Sequence, residues 1–194
     1  MSLTLDYYNN KTEEFYESTI LADVSALYDR FLKYIPPRGK ILDLGCGSGR
    51  DTKEFLNKGY IVEAIDGSSE LCKKASNYTG INVKCMDFFD IDEHEKYDGI
   101  WACASLLHVE KMYISDLLMK LQKALVSNGA FYMSFKYGEF AGERDDRYFV
   151  DLNEEEFCKI YERLDGYLKV DEWCSEDVRR GKNVKWLNEI IRKV

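Results

Sequence analysis

The chain has 194 residues, 45% apolar and 32% charged, a length for one compact domain that buries about 70% of its unfolded surface without disulfide or metal staples. A net charge of −8 speaks against broad nucleic-acid binding, and 14% aromatic residues exclude intrinsic disorder. No apolar run approaches the ~18 residues of a membrane span, Met1-Ser2-Leu3-Thr4-Leu5-Asp6 lacks the layout of a signal peptide, and six cysteines without a C-x-x-C predict reduced, mostly buried thiols in a cytoplasmic protein and no metal site.

Asp6-Tyr7-Tyr8-Asn9-Asn10 reads as a turn or short helix start, with Asn10 and Glu13 placed for a capping box. Ile20, Val24, Leu27, Tyr28, Phe31 and Ile35 then recur at spacings of three and four, which predicts one amphipathic helix. Pro36-Pro37 stops it and marks the junction with the main body. Residues 1–37 are therefore expected to form a helical lid on a core of residues 38–194, the whole being a single domain.

Beyond the prolines, strands alternate with helices. Strands are predicted over residues 41–44, 60–65, 82–86, 97–103 and 130–135, and helices from Arg50 to Gly59, over 69–78 and over 113–125. This rhythm means right-handed crossovers and a mostly parallel sheet with helices on both faces. Near the end Asn153 caps a helix opened by Glu154-Glu155-Glu156, three carboxylates read as a solvated helix start. Residues 167–174 and 184–191 read as strands. The connection Arg179-Arg180-Gly181-Lys182-Asn183 is too short for a crossover, so the two pair as an antiparallel hairpin.

Open α/β sheets bind ligands beyond the carboxyl ends of their strands, which restricts the candidate site to the loops that follow them. After strand one, Asp43-Leu44-Gly45-Cys46-Gly47-Ser48-Gly49 lets the backbone turn tightly and approach a ligand beside a helix N-terminus. A dinucleotide fingerprint would need a glycine where Arg50 stands, which weighs against a nicotinamide-dependent oxidoreductase. After strand two, Asp66-Gly67-Ser68 places a carboxylate 23 residues beyond Asp43, about the spacing of a ribose-binding acid. After strand three, Asp87 can accept from an adenine amino group while Met86 or Phe88 covers the ring. After strand four, Cys103-Ala104-Ser105-Leu106-Leu107-His108-Val109 borders the reacting end of the ligand, and His108 is the candidate substrate contact or general base.

Together, Ile41 to Gly49, Ala64-Ile65-Asp66-Gly67-Ser68, Asp87-Phe88 and Tyr97-Asp98-Gly99-Ile100-Trp101 resemble the class I S-adenosylmethionine-dependent methyltransferases. The resemblance implies a Rossmann-like seven-stranded sheet ordered 3-2-1-4-5-7-6 and S-adenosylmethionine as cofactor. It implies methyl transfer to a small-molecule acceptor by in-line displacement, where proximity supplies roughly 7–11 kcal/mol. The glycine loop, with Gly45, Cys46, Gly47 and Gly49 beside Asp43, would lie under the methionine and ribose; Asp66, with Gly67 and Ser68, would hold the ribose; Asp87 and Phe88 would take the adenine; and Cys103 would border the cofactor. Tyr8 and Tyr16 are expected to shape the methionine pocket. The loop from Lys136 to Tyr148, with Lys136, Tyr137, Arg144 and Arg147, is either a substrate-facing lid or a solvated charged loop. A narrower likeness to the bacterial TehB-like subgroup runs through Trp101 to Val109, Ser134 to Glu139, Arg147-Tyr148-Phe149 and Trp186-Leu187-Asn188. A module that binds the cofactor without turnover is the other rival.

Overall fold

The computed structural model describes residues 3–179 and 181–194. Met1 and Ser2 of the N-terminal stretch, and Arg180 of the hairpin connection, lie outside the described residues. The chain begins with three short helices: α1 (Leu3–Asn10), α2 (Thr12–Thr19) and α3 (Ser25–Phe31), followed by a 3-10 turn at Leu32–Tyr34. The single helix expected through Ile20 and Val24 is thus broken. Thr19 Oγ1 turns back onto the Phe15 carbonyl at 2.8 Å, and the Asp23 side chain accepts from the Ser25 amide at 3.0 Å. These local side-chain bonds compete with the helical ladder. The capping box at Asn10 does not form either, because α1 runs through Asn10 and α2 starts behind Lys11 without a side-chain cap.

The main body is built from β1 (Lys40–Leu44), α4 (Arg50–Asn57), β2 (Ile61–Asp66), α5 (Ser69–Thr79), β3 (Lys84–Cys85), β4 (Tyr97–Ala102), α6 (Lys111–Ala124) and β5 (Leu125–Lys136). A small hairpin of β6 (Ala141–Arg144) and β7 (Arg147–Val150) follows, then α7 (Glu154–Tyr161), β8 (Tyr167–Glu176) and β9 (Lys185–Lys193). Seven strands form one sheet in the order β3-β2-β1-β4-β5-β9-β8. With the small hairpin set aside, this is the expected order 3-2-1-4-5-7-6. Neighbours from β3 to β5 run parallel, and β9 pairs antiparallel with both β5 and β8. Strand order reverses between β1 and β4, and the cleft opens at their carboxyl ends.

Three local departures shape the rim. β3 is shorter than expected, because the Val83 amide donates to Ser76 Oγ of α5 at 3.0 Å instead of entering the ladder. The β6–β7 hairpin is a second sheet that the charged sequence of residues 141–150 hid. Its turn residues Asp145 and Asp146 both have positive φ, 52° and 58°, as a tight two-residue hairpin turn requires. Of the six free thiols only Cys46 and Cys72 are buried; Cys85, Cys158 and Cys174 are exposed, against the expectation of mostly buried cysteines.

Alternation along β5 divides the core. Phe131, Met133 and Phe135 face Leu117, Leu121 and Phe157 of α6 and α7. Tyr132 faces the other way, stacked on Trp101 of β4 with ring centroids 4.0 Å apart, under Tyr28 and Phe31 of α3. Buried Asp51 of α4 fastens this layer, accepting from Tyr28 Oη at 2.6 Å, Trp101 Nε1 at 2.8 Å and Arg50 Nε at 2.6 Å.

Candidate functional site

The turn after β1 is left-handed at Gly45, Gly47 and Gly49. At Gly45 a Cβ would sit 2.5 Å from Ser105 Cβ and 3.1 Å from the Phe88 ring, so only glycine lets these three loops converge. The Gly45 and Cys46 amides donate to the Ile65 carbonyl at 2.9 and 3.0 Å, tying the loop to β2. Asp66, the last residue of β2, then closes the arrangement: Oδ2 accepts from the Gly47 amide at 2.9 Å and Oδ1 from the Ser68 amide at 2.8 Å. Burial pushes its pKa up, while the amides of Ser68, Gly47 and Gly67 pull it back.

A cleft of about 1080 Å³ lies above this loop. Gly45, Cys46, Gly47, Asp66 and Gly67 line it on one side, and Asp87, Phe88, Cys103 and His108 continue the wall. Asp87 is exposed and its Oδ1 accepts from the Phe89 amide at 2.8 Å. Cys103 is a thiol rather than a thiolate: burial first, and the Asp51 charge next, push it up to about 12.

Three residues expected at the cofactor stand behind the wall. Asp43 is buried and accepts from Thr52 Oγ1 at 2.5 Å, bracing the glycine loop from below; burial and the Asp51 charge raise its pKa. Gly49 is where α4 meets α5, since a Cβ there would lie 2.9 Å from Thr79 Cγ2 and 3.1 Å from Ala75 Cβ. Ser68 is fully buried as the cap of α5: its Oγ accepts from the Leu71 amide at 3.2 Å and donates to Asn9 Oδ1 at 2.8 Å.

Tyr16 is not in the cleft. Its ring lies under Lys74 Nζ, 4.6 Å from the centroid, and edge-on to Tyr78, so it packs α2 on α5. Its neighbour Phe15, about 100° round the helix, lines the cleft instead and abuts Gly47. Tyr8 does line it. Its hydroxyl lies 2.8 Å from His108 Nε2, and His108 Nδ1 is 2.7 Å from the Tyr148 carbonyl. A carbonyl only accepts, so Nδ1 carries the proton and Nε2 accepts from Tyr8. Burial above all, against the bond to Tyr148 and with Arg147 and Lys136 nearby, lowers His108 to about 4 and leaves it neutral.

Of the four residues expected around the acceptor, Lys136 and Arg147 line the cleft. Tyr137 and Arg144 do not. The Tyr137 hydroxyl donates to Glu154 Oε2 at 2.8 Å on the surface, beneath Lys185. Arg144 is held bidentately by Asp151 at 2.8 and 2.9 Å.

The sequence placed Ser105 in the loop after β4 without a role of its own, and did not point to the tip of the β8–β9 hairpin. Ser105 Oγ is buried in the cleft wall without a partner among the described residues, and a single serine carries no pattern. The tip brings Asp177, Val178, Arg179 and Lys182 to the rim, with Arg179 paired to Asp177 by Nε–Oδ1 at 2.9 Å; its length predicts only a connection.

Comparison with known proteins agrees with this geometry. Residues 41–129, which hold the glycine loop, Asp66, Asp87 and His108, match the family described as "Methyltransferase domain". An uncharacterized methyltransferase of Staphylococcus carnosus is 26% identical over 161 residues, 77% of this chain and 75% of that protein. The fold matches 1,6-didemethyltoxoflavin-N1-methyltransferase of Burkholderia thailandensis, solved with bound 1,6-didemethyltoxoflavin and S-adenosylhomocysteine, at a TM-score of 0.74 and 21% identity over 98% of this chain and 85% of that one. It also matches magnesium protoporphyrin IX methyltransferase of Synechocystis, solved with S-adenosylhomocysteine, at a TM-score of 0.72 and 15% identity over 97% of each chain. Residues 41–129 thus carry a match to the methyltransferase family, and nearly the whole chain shares the fold of two methyltransferases solved with S-adenosylhomocysteine.

Proposed function

We propose that the chain transfers a methyl group from S-adenosylmethionine to a small-molecule acceptor held between the glycine loop and the β6–β7 hairpin. The observation that carries this reading is Asp66, fixed by the Gly47 and Ser68 amides at the edge of the cleft. The lining residues fit a nucleoside sulfonium: Asp66 and Asp87 offer carboxylate acceptors, the Ser105 hydroxyl is unpartnered among the described residues, and Gly45 lets Ser105 and Phe88 close on the glycine loop. A loop with no third dinucleotide glycine suits a cofactor that has no pyrophosphate.

When bound, S-adenosylmethionine supplies the activated methyl group. The protein's part is to bind, align and exclude water. Asp66 would hold the ribose hydroxyls, Asp87 and Phe88 the adenine, and Gly45, Cys46, Gly47 and Cys103 the space beneath. Asp43, Gly49 and Ser68 act on the loop from behind. At the acceptor end Tyr8 and His108 both line the cleft, and because His108 Nε2 accepts from the Tyr8 hydroxyl, a proton leaving an acceptor would reach Nε2 by way of that hydroxyl, which passes on its own. A weakly basic imidazole suits an acceptor that loses its proton easily or has none to lose.

In this reading residues 1–37 act as the lid of a single cytoplasmic domain. Of the likeness to the TehB-like subgroup, only the cofactor is carried over. Calorimetric titration with S-adenosylhomocysteine and with NADH separates the class of cofactor: S-adenosylhomocysteine is expected to bind and NADH not, and the reverse would overturn the reading. With the cofactor saturating, a screen of small acceptors read as S-adenosylhomocysteine formed then separates an enzyme from a module that only binds.

A further inference from the structure

Lys136 ends β5 and Arg147 begins β7, and both reach the same ring. Lys136 Nζ is 3.9 Å from the Phe149 centroid and the Arg147 guanidinium carbon 4.9 Å from it. Both cations line the cleft near His108. A third cation at that ring, Arg144, lies 4.7 Å from the centroid, but Asp151 neutralises it through two hydrogen bonds. Among the described residues Lys136 and Arg147 have no ion-pair partner within 4.0 Å. They rest on aromatic faces: Arg147 also lies 4.1 Å from the Tyr7 centroid and 5.8 Å from that of Tyr8. Attraction to a ring holds a cation in place without cancelling its charge.

We propose that Lys136 and Arg147 form an anion subsite that takes the carboxylate of an organic-acid acceptor. The identity of that ligand as the methyl acceptor rests on the function proposed above. A planar guanidinium beside an ammonium matches a carboxylate, one binding through a fork and the other as a point charge. An organic acid fits better than an inorganic oxyanion, because the cleft of about 1080 Å³ continues over Leu107, Val109, Tyr113 and Trp186, and such walls are covered by an apolar body. The neutral His108, its Nε2 turned to Tyr8, adds no positive charge to the pair.

Protonation of Lys136 gives the subsite a signature. Burial first, then the charges of Arg144 and Arg147, lower it to about 8, against the opposing pull of Asp151 and Asp145. Carboxylate affinity is therefore flat between about pH 6 and 8, where the acid is ionised, and falls above it.

The test titrates the S-adenosylhomocysteine-loaded protein with benzoate and hexanoate, each against its uncharged amide, and with sulfate. At least one acid is expected to bind about tenfold or more tightly than its amide. Lys136→Met and Arg147→Met should each weaken that acid by about 10- to 100-fold, the scale of a lost charge-assisted hydrogen bond, with S-adenosylhomocysteine affinity held within about twofold. Lys136→Arg should keep the acid and abolish the fall above pH 8, a readout that loss of packing does not produce. Acids and amides binding alike, no acid binding, sulfate binding while neither acid does, or equal loss of acid and S-adenosylhomocysteine in the variants would each overturn the subsite. Failure of S-adenosylhomocysteine to bind the wild-type protein would overturn the methyltransferase reading instead, and the acids would then be titrated on the free protein to judge the subsite alone.

Discussion

Asp66 holds the glycine loop in shape through the Gly47 and Ser68 amides while standing at the edge of the cleft. Its removal therefore acts on the loop and, in the proposed function, on the ligand as well. Asp66→Ala is expected to weaken S-adenosylhomocysteine by about 10- to 100-fold, as for one lost hydrogen bond to a charged group. Calorimetry at matched thermal stability checks it, and unchanged affinity would take Asp66 out of the cofactor site. Asp66 was legible in the sequence because its position is set by one strand end and one short loop. The two arginines of the β6–β7 hairpin were not. Arg144 and Arg147 look alike as letters, yet Asp151 captures the first and leaves the second over Tyr7 and the cleft. The same holds for Phe15 and Tyr16, where one step round α2 decides which ring meets Gly47 and which meets Lys74.

At the scale of elements, α1 closes the cleft through a few separable contacts. Thr4 Oγ1 accepts from the Tyr148 amide at 3.0 Å. Tyr8 reaches His108, and Asn9 Oδ1 accepts from Ser68 Oγ and, at 3.3 Å, from the Glu70 amide. Leu5 packs against Gly67, where a Cβ would come within 2.7 Å of Cδ2. The helix thus spans the rim from the loop after β2 to β7, and as the proposed lid it would release a bound cofactor only when these contacts open. Asn9 stands outside the cleft wall, so its variant tests opening without touching the ligand. Asn9→Ala removes about 1 kcal/mol from the closed state and is expected to speed S-adenosylhomocysteine release by about fivefold in stopped-flow displacement. An unchanged release rate would show that α1 is fixed cover rather than a lid. The sequence announced helices here but not where they break. The apolar spacing of Ile20, Val24 and Leu27 runs straight through the bend, whereas the bonds that make it belong to Thr19 and Asp23.

Across the whole molecule, β9 lies between β5 and β8 and is covered on both faces. This puts Glu189 where its sequence offers no hint of burial. It is fully buried between Leu187 and Ile191, opposite Glu172 across the strand pair, and both carboxylate oxygens are without a partner among the described residues. Burial first, and the neighbouring Glu172 carboxyl next, push its pKa up to about 9, with Lys169 pulling the other way. A carboxyl raised in the folded state contributes its stability below the unfolded value near 4.3 and loses it as pH rises through the folded value. The raised Asp43 acts in the same direction. His108, lowered to about 4, and Glu63, lowered to about 2, oppose this trend mainly in acid, since once pH passes their unfolded values of 6.5 and 4.5 the folded and unfolded chains bind the same number of protons at both. Between pH 6.5 and 8 the buried carboxyls therefore dominate among these groups, and stability falls as pH rises. Urea denaturation across that window is expected to give a falling midpoint for the wild-type chain and a flatter one for Glu189→Gln, whose side chain has no proton to lose. Equal slopes for the two proteins would mean that Glu189 reaches water or a cation and keeps its charge within the fold.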